Sequence, residues 1–600
     1  MYIKRLKIEN FRNFQKLDVA LHGNIVVLGE NQVGKSNLLY ALQLIFDSRL
    51  PDSARQLSRS DFWDGLAELT ESEEIIISVD IGDFDDDMDI LAVLTDFRLS
   101  DDPQTVRLSY KFSPKVELEE QPSCDEDYEF VCFGGENEAN FFGHSLRRRI
   151  MIEVLPALRD AEGDLAVWRR SPLKPLIESA FTGVSDEDLG DIKEAVEAAT
   201  TELCDLDGVR DLEDEIGALY TAMSGQRQDI QPRLGIGPTD ITLLYRSIRL
   251  LIDAGARTIN ESSLGSANIV FLTLKTLELQ RQIDENQRDH TFLAIEEPEA
   301  HLHPHLQRSV FRHYFEQILE GEERALSTIL TTHSPHIASV APLKSILLLK
   351  DCDGDGTKGY STAGLPLSAT DKEDIERYLD ITRAEILFAR GVILVEGDAE
   401  KFLLPVFAVT LGYSLDHLGV TVCSVSGTNF RPYVKFLSSL SIPFTVITDW
   451  DPKDGKKPLA VNRLIKLIEA IEKVTSGDGV SVAVKELKAL RVAEDYLGIS
   501  DRGETYGLFT NEVTLEIDLL DTELLEPFFE TLSEHKWSAG RVAKIESWEA
   551  DYDLIDEVEL LAMVETIGKG RFAQRLASRA NGIAPPAYIK DAIEFVVSRV

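Results

Sequence analysis

The 600-residue sequence has no apolar run approaching the ~18 residues a membrane helix needs. Its opening, MYIKRLKIENFRNF, lacks the apolar core of a secretory signal and alternates like a first β-strand. A cytoplasmic chain with no membrane partner is expected. Cysteine is scarce: Cys124, Cys132, Cys204, Cys352 and Cys423 are scattered with no CxxC spacing, which argues against a zinc module and a disulfide framework. Internal repeats, low-complexity tracts and sustained heptads are also missing. Positive charge is in short supply, with 62 Lys and Arg against 104 Asp and Glu and a net charge of −42. Binding to a polyanion normally calls for a basic surface, so composition alone does not point to nucleic acid. Either the acidity is spread over solvated faces, or local basic islands and metal ions act despite it. The islands visible along the chain are Arg147–Arg149, Arg169–Arg170, Lys453 with Lys456 and Lys457, and Lys569 with Arg571, Arg575 and Arg579.

What is present divides the chain, which is too long for one core. Residues 1–165 are strand-rich, with an acidic stretch at Asp80–Asp89 that reads as a loop or sheet edge. From 166 to 245 apolar residues recur at helical spacing in a charged background, as in an inserted helical arm. Within 246–370 strand-like sequence resumes at TFLAIEEPE (291–299) and STILTTHS (327–334), residues 371–390 read as a connecting helix, and 391–600 begin a second α/β unit that ends in helices.

GENQVGKS (29–36) follows the apolar strand IVVL and precedes a helix, the context of a phosphate-binding P-loop. Such a loop cradles phosphates with backbone N–H groups at a helix N-terminus, where Gly29 and Gly34 permit close approach. Lys35 supplies the point charge for the β and γ phosphates of ATP and Ser36 a hydroxyl for Mg²⁺; Asn31 and Asn37 flank them. FLAIEEPEAHLHP (292–304) is the expected second half, an apolar strand delivering Glu296 and Glu297. Glu296 stands where such strands usually carry Asp, so its metal contact is expected through water. Glu297 is placed to polarise the attacking water. TTHS (331–334) follows another apolar strand and puts His333 within reach of a γ-phosphate. SSLGSANIV (262–270) has two readings: an ABC signature, whose Ser263 and Gly265 meet nucleotide held by another subunit, or a plain helix start. The first reading requires two copies of the chain.

VILVEGDAEK (392–401) ends an apolar strand in Glu396 and carries Glu400 on the following helix. FTVITDWD (444–451) ends a second in Asp449 and Asp451. Parallel strands bring such ends together at the carboxyl edge of a sheet, and four hard carboxylates there suit Mg²⁺ or Mn²⁺. This is the Toprim arrangement, found in topoisomerases, primases and nucleases. A primase would bring a zinc module and a topoisomerase a separate tyrosine-bearing domain, which leaves a nuclease. The rival is an ATP-dependent DNA clamp or repair mediator whose Toprim domain does not cut; a plain ABC ATPase leaves 391–451 unexplained.

Together with PALRD (156–160), these segments resemble the OLD (overcoming lysogenization defect) family of ATPase–Toprim nucleases, which includes the nuclease subunit of Gabija-type anti-phage systems. The expected fold is α/β multidomain: an ABC/SMC-type P-loop ATPase (1–165 and 246–370) with an inserted helical dimerisation arm, a linker helix and a C-terminal Toprim domain. The resemblance implies two-metal cleavage of DNA, with Glu396, Asp449 and Asp451 holding one ion and Glu400 with Glu516 and Glu512 the second. It also makes NEVTLEIDL (511–519), which contains Asp518, the later acidic segment, and assigns Lys569 of GKGRFAQRLA the developing charge on the phosphate. The implied partners are DNA and a second copy of the chain, at least as a homodimer. A helicase or another defence-system component stays open.

Overall fold

The computed structural model describes every residue except 67–68, 71, 85–87, 117, 119–120, 225–232, 235–244, 253–256, 316–325, 353, 366, 379–380, 453–456 and 477–481. In chain order the strands are β1 (Tyr2–Phe11), β2 (Phe14–Ala20), β3 (Ile25–Leu28), β4 (Ile75–Gly82), β5 (Val106–Pro114), β6 (Tyr128–Gly134) and β7 (Ile150–Leu155). Then come β8 (Leu251–Ile252), β9 (Arg257–Thr258), β10 (His290–Glu296), β11 (Leu326–Thr331), β12 (Ile346–Cys352) and β13 (Gly356–Ser361). The last four are β14 (Gly391–Val395), β15 (Val420–Ser424), β16 (Phe444–Thr448) and β17 (Leu508–Thr510). The chain forms two compact units: Met1–Leu155 with Phe292–Glu299 and Pro304–Val600, and Pro156–Thr291 with Ala300–His303.

The first unit holds a sheet ordered β6-β5-β4-β1-β2-β13-β12-β3-β11-β10-β7. Its β6-to-β2 half is antiparallel and alternates in burial, with Leu6, Ile8 and Phe11 of β1 turned inward. The alternation slips at a β-bulge between Ile3 and Arg5, which lets Ile3 stay buried three positions from Leu6. β3 is different. IVVL is buried at every position because β11 and β12 flank it in parallel and both faces are covered. The registers Thr331↔Val27 and Leu348↔Leu28 align the carboxyl ends of these strands, so the loops after β3 and β11 emerge side by side. The helix Lys35–Phe46 packs its apolar face on this sheet, with Phe46 against Phe292 at a ring separation of 5.1 Å.

Residues 80–82 correct one expectation. They are not loop or sheet edge but the end of β4, which pairs with β1 and β5, and Asp80 is buried and clamped by Arg107 (2.6 and 2.8 Å). A paired carboxylate can occupy an inner strand that an unpaired one could not. The same unit contains a second sheet, β15-β14-β16-β17, parallel throughout. Its core joins Phe407 and Trp548 to Phe528 and Phe572, whose rings lie 4.6 Å apart. Where the connecting helix 371–390 is expected lie the helix Ala369–Tyr378 and a short one at Ile381–Ala384.

The second unit contains the helices Leu173–Thr182, Asp186–Cys204, Asp207–Ser224 and Leu264–Asp284 and the β8–β9 ribbon. On Asp207–Ser224 the residues Leu212, Ile216, Leu219 and Met223 follow helical spacing, and all four are exposed. Much of the expected arm beyond 224 lies outside the described residues.

Candidate functional site

The P-loop is built against the opening strands. Gly34 takes φ 96° at the start of its helix, and a Cβ there would collide with the amide of Asn13. Asn13 donates to the Val33 carbonyl (2.9 Å) and accepts from Asn37 (2.7 Å), while Arg12 donates to Asn37 (2.8 Å) and pairs with Asp61 (2.9 Å). The FRNF segment thus splints the loop, a role its sequence position does not announce. Lys35 is buried, with its ammonium bonded to the Gly29 and Glu30 carbonyls (3.1 and 2.8 Å). Burial lowers its pKa against the pull of Glu297, Glu299 and Glu296. Asn31 and Ser36 are exposed at the mouth of the loop. Backbone amides, one cation and a hydroxyl match what a nucleotide triphosphate with Mg²⁺ requires.

Glu297 leaves β10 at φ 41°, a left-handed conformation uncommon for a side-chain-bearing residue, with its N–H donated to the Thr331 carbonyl (2.9 Å). Its carboxylate lies 3.2 Å from His333 Nε2, so the expected pair is brought together. Glu299 is the acid that sequence reasoning missed. It accepts from Thr332 Oγ1 (2.9 Å) and the His333 N–H (2.7 Å), and so fixes the turn that presents His333. In the second unit Ser263 caps the helix Leu264–Asp284 by accepting from the Ser266 N–H (3.2 Å). A Cβ on Gly265 would come within 2.6 Å of the His301 carbonyl. Both residues therefore have local structural work, consistent with the plain helix start.

At the second sheet, Glu396, Asp449 and Asn511 follow β14, β16 and β17 at one edge. Glu396 accepts from the Asp449 N–H (3.0 Å), Thr448 Oγ1 and Arg463 Nη1 (2.7 Å). Arg463 also reaches Asp451 (3.2 Å) and the Asp449 carbonyl (3.1 Å). Asn511 donates to the Asp449 carboxylate and accepts from the Trp450 N–H (2.8 Å). Asp451 sits at φ 51°. Glu400 and Glu516 are buried, and Lys569 lies 3.2 Å from Glu516.

The electrostatics tie these groups into one cluster. Burial, then Asp449, Glu516 and Glu396, push Glu400 up to about 7. Burial and Glu396 first, with Glu516 and Asp451 adding, push Asp449 to about 7 against the Asn511 hydrogen bond. Burial works against the Lys569 ammonium, yet Glu516 raises its pKa overall. Glu512 is not drawn in: its side chain is exposed, while its N–H donates to Asp518 (2.8 Å). Asp518 is a structural acid that caps the 512–513 turn. Among the described residues no three acids, histidines or cysteines are arranged to ligate one ion as they stand, with Arg463 between Glu396 and Asp451. The donor set still suits a hard divalent cation, because acidic oxygens crowd one edge and two carboxyls are destabilised in their charged form. Arg463 escaped sequence reading because it stands in no motif, and Asn511 because the segment 511–519 is read for its acids.

A P-loop ATPase joined to a Toprim domain is the class that this fold and these two sites define. The profile of the AAA ATPase domain matches residues 1–147 and 186–338, and that of the overcoming lysogenization defect protein-like TOPRIM domain matches 387–451. The chain belongs to the OLD family. It is 23% identical over 547 residues to Endonuclease GajA of Bacillus cereus, covering 86% of this chain and 89% of that one. It is 24% identical over 467 residues to the OLD nuclease of Thermus scotoductus, covering 75% and 82%. The solved C-terminal region of the Burkholderia pseudomallei OLD protein is 42% identical, with 35% of this chain and 98% of that one aligned at a TM-score of 0.31.

Lys35→Ala should abolish ATP turnover by deleting the phosphate charge. Glu297→Gln should slow turnover by about 100-fold or more while sparing nucleotide binding. Phosphate-release kinetics beside nucleotide anisotropy separate the two effects, and unchanged turnover in Glu297→Gln would transfer the role to Glu296.

Proposed function

We propose that this ATPase–Toprim protein is a divalent-metal-dependent DNA endonuclease whose ATPase domain regulates cutting, and that it serves bacterial anti-phage defence in the cytoplasm. The observation that carries the reading is the acidic edge of the second sheet, where Glu396, Glu400, Asp449 and Glu516 share one field and Asp451 joins through Arg463. Glu396, Asp449 and Asp451 would hold one Mg²⁺ or Mn²⁺, and Glu400 with Glu516 a second. Two such ions stabilise the attacking and leaving oxygens of an in-line displacement. Glu512, exposed beside this segment, completes the expected ligands only by turning inward. Lys569 keeps its positive charge beside Glu516 and offsets negative charge on the scissile phosphate. In the ATPase, Glu297 would orient the attacking water and His333, beside it, would meet the γ-phosphate. The name Endonuclease GajA, borne by a relative aligned over most of both chains, supports the same chemistry.

Glu396→Ala or Asp449→Ala should abolish nicking of supercoiled plasmid in Mg²⁺ or Mn²⁺ while ATP turnover survives. Gel electrophoresis beside phosphate release reads both. Wild-type nicking that persists in these variants would contradict the assignment.

The ATPase reading also carries an assembly. Paired ABC-type sites need a second copy, and the exposed row Leu212, Ile216, Leu219 and Met223 offers an apolar face for it. An interface of this kind should hold at physiological salt without nucleotide. Light scattering should therefore give at least a dimer throughout, and charging the row with Leu219→Glu and Met223→Glu should weaken it. A monomer at every salt and nucleotide condition would overturn the claim.

A further inference from the structure

In a chain with a net charge of −42, a cavity of the C-terminal half has the opposite sign. It encloses about 730 Å³ between the loop after β15, the helix Arg431–Ser439 and the helix Leu459–Ser476. Five of its lining residues are basic, Arg431, Lys435, Arg463, Lys466 and Lys473, and one is acidic, Glu469. Lys435 is buried and neutralised by Asp371 (2.6 Å), and Glu469 is paired with Lys488 (3.1 Å). Arg431 and Lys466 are exposed, and among the described residues neither is ion-paired. Arg463 belongs both to this cavity and to the acidic edge, where it touches Glu396 and Asp451. The groove and the candidate cutting site therefore share one residue, Arg463.

Spacing adds direction. Arg463, Lys466 and Lys473 all line the cavity from one helix, so they share a face. From 463 to 473 that face runs roughly 15 Å at the helical rise of 1.5 Å per residue. At about 3.4 Å of duplex axis per nucleotide, this equals the axial length of some four nucleotides of one strand.

Several members of the basic islands visible along the sequence are already engaged. Arg147 is buried and donates to the Ile45 carbonyl (2.9 Å), Arg170 pairs with Asp164 (3.4 Å), and Arg575 with Glu534 (3.8 Å). Lys453 and Lys456 lie outside the described residues.

We propose that this groove holds the phosphate backbone of the DNA strand and leads it to the carboxylate edge, with Arg431 and Lys466 as the backbone contacts. The proposal rests on the nuclease reading and adds where the substrate lies. It also accounts for how so acidic a chain engages a polyanion: the contact is confined to one groove, and acidity elsewhere disfavours other registers.

The test uses the full-length chain and a fluorescent 20-base-pair duplex, with Ca²⁺ replacing Mg²⁺, titrated by anisotropy between 50 and 200 mM salt. The double variant Arg431→Glu/Lys466→Glu should bind roughly tenfold or more weakly, with the slope of log K against log salt shallower by about 2. ATP turnover and melting temperature should match the wild type. The milder Arg431→Gln and Lys466→Gln carry the same test if charge reversal disturbs folding. Wild-type affinity and slope in the variants, or an equal loss in Arg148→Glu on an exposed face of the ATPase domain, would overturn the groove while wild-type nicking left the nuclease reading standing. Wild-type protein that neither binds nor nicks DNA would overturn both. Capture of poly-glutamate but not DNA, lost in the double variant, would give the groove to an acidic protein partner instead.

Discussion

Mutual repulsion of carboxylates at one sheet edge is the constraint around which the C-terminal half is arranged. Parallel β14 and β16 deliver Glu396 and Asp449 side by side, and the helix after β14 adds Glu400. Burial and proximity make their charged forms costly, as the positions of Glu400 and Asp449 near 7 record. Neighbouring elements answer with positive charge or N–H donors: Arg463 from the helix Leu459–Ser476, Lys569 from the start of Lys569–Ala577, Asn511 after β17. Such an edge is balanced for an added cation, which would meet a need the protein groups fill only in part.

The two chemistries are not remote from one another. Glu30 of the P-loop accepts from Lys35 through its carbonyl, and its carboxylate forms a bidentate pair with Arg390 (2.7 and 2.8 Å). Arg390 immediately precedes β14, whose far end carries Glu396. Nearby, burial drops Lys350 to about 8, and its ammonium donates to the Ser441 carbonyl ahead of β16 (3.2 Å). The Glu30–Arg390 pair is more than half exposed, so it contributes about 0–1 kcal/mol and sets alignment more than strength. Through it the P-loop and the residue that precedes β14 share a side-chain contact.

Legibility in the sequence followed whether a residue's partners were local. The P-loop, the strand ending in Glu296 and Glu297, and the Glu396 and Asp449 strands could be read because each is an apolar run with its polar residues at a fixed offset. Arg12, Asn13, Glu299, Arg463 and Asn511 could not, because their partners lie on other strands and helices. Asp80 was misplaced for the same reason: its acidic neighbours suggested an edge, while Arg107 on β5 lets it sit within the sheet. Basic clusters, read as candidate islands or ordinary salt-bridged faces, are only partly free. Runs such as Arg147–Arg149 look like binding surfaces, yet folding buries or pairs several members, whereas the cationic groove gathers residues spread from 431 to 473.

If the acidic edge holds a divalent cation, calorimetric titration of Mn²⁺ into nucleotide-free protein will read the binding. Saturable binding should be lost in Asp449→Asn with Glu396→Gln and retained in Lys35→Ala. Mn²⁺ affinity and stoichiometry in the carboxylate variant equal to those of the wild type would contradict it.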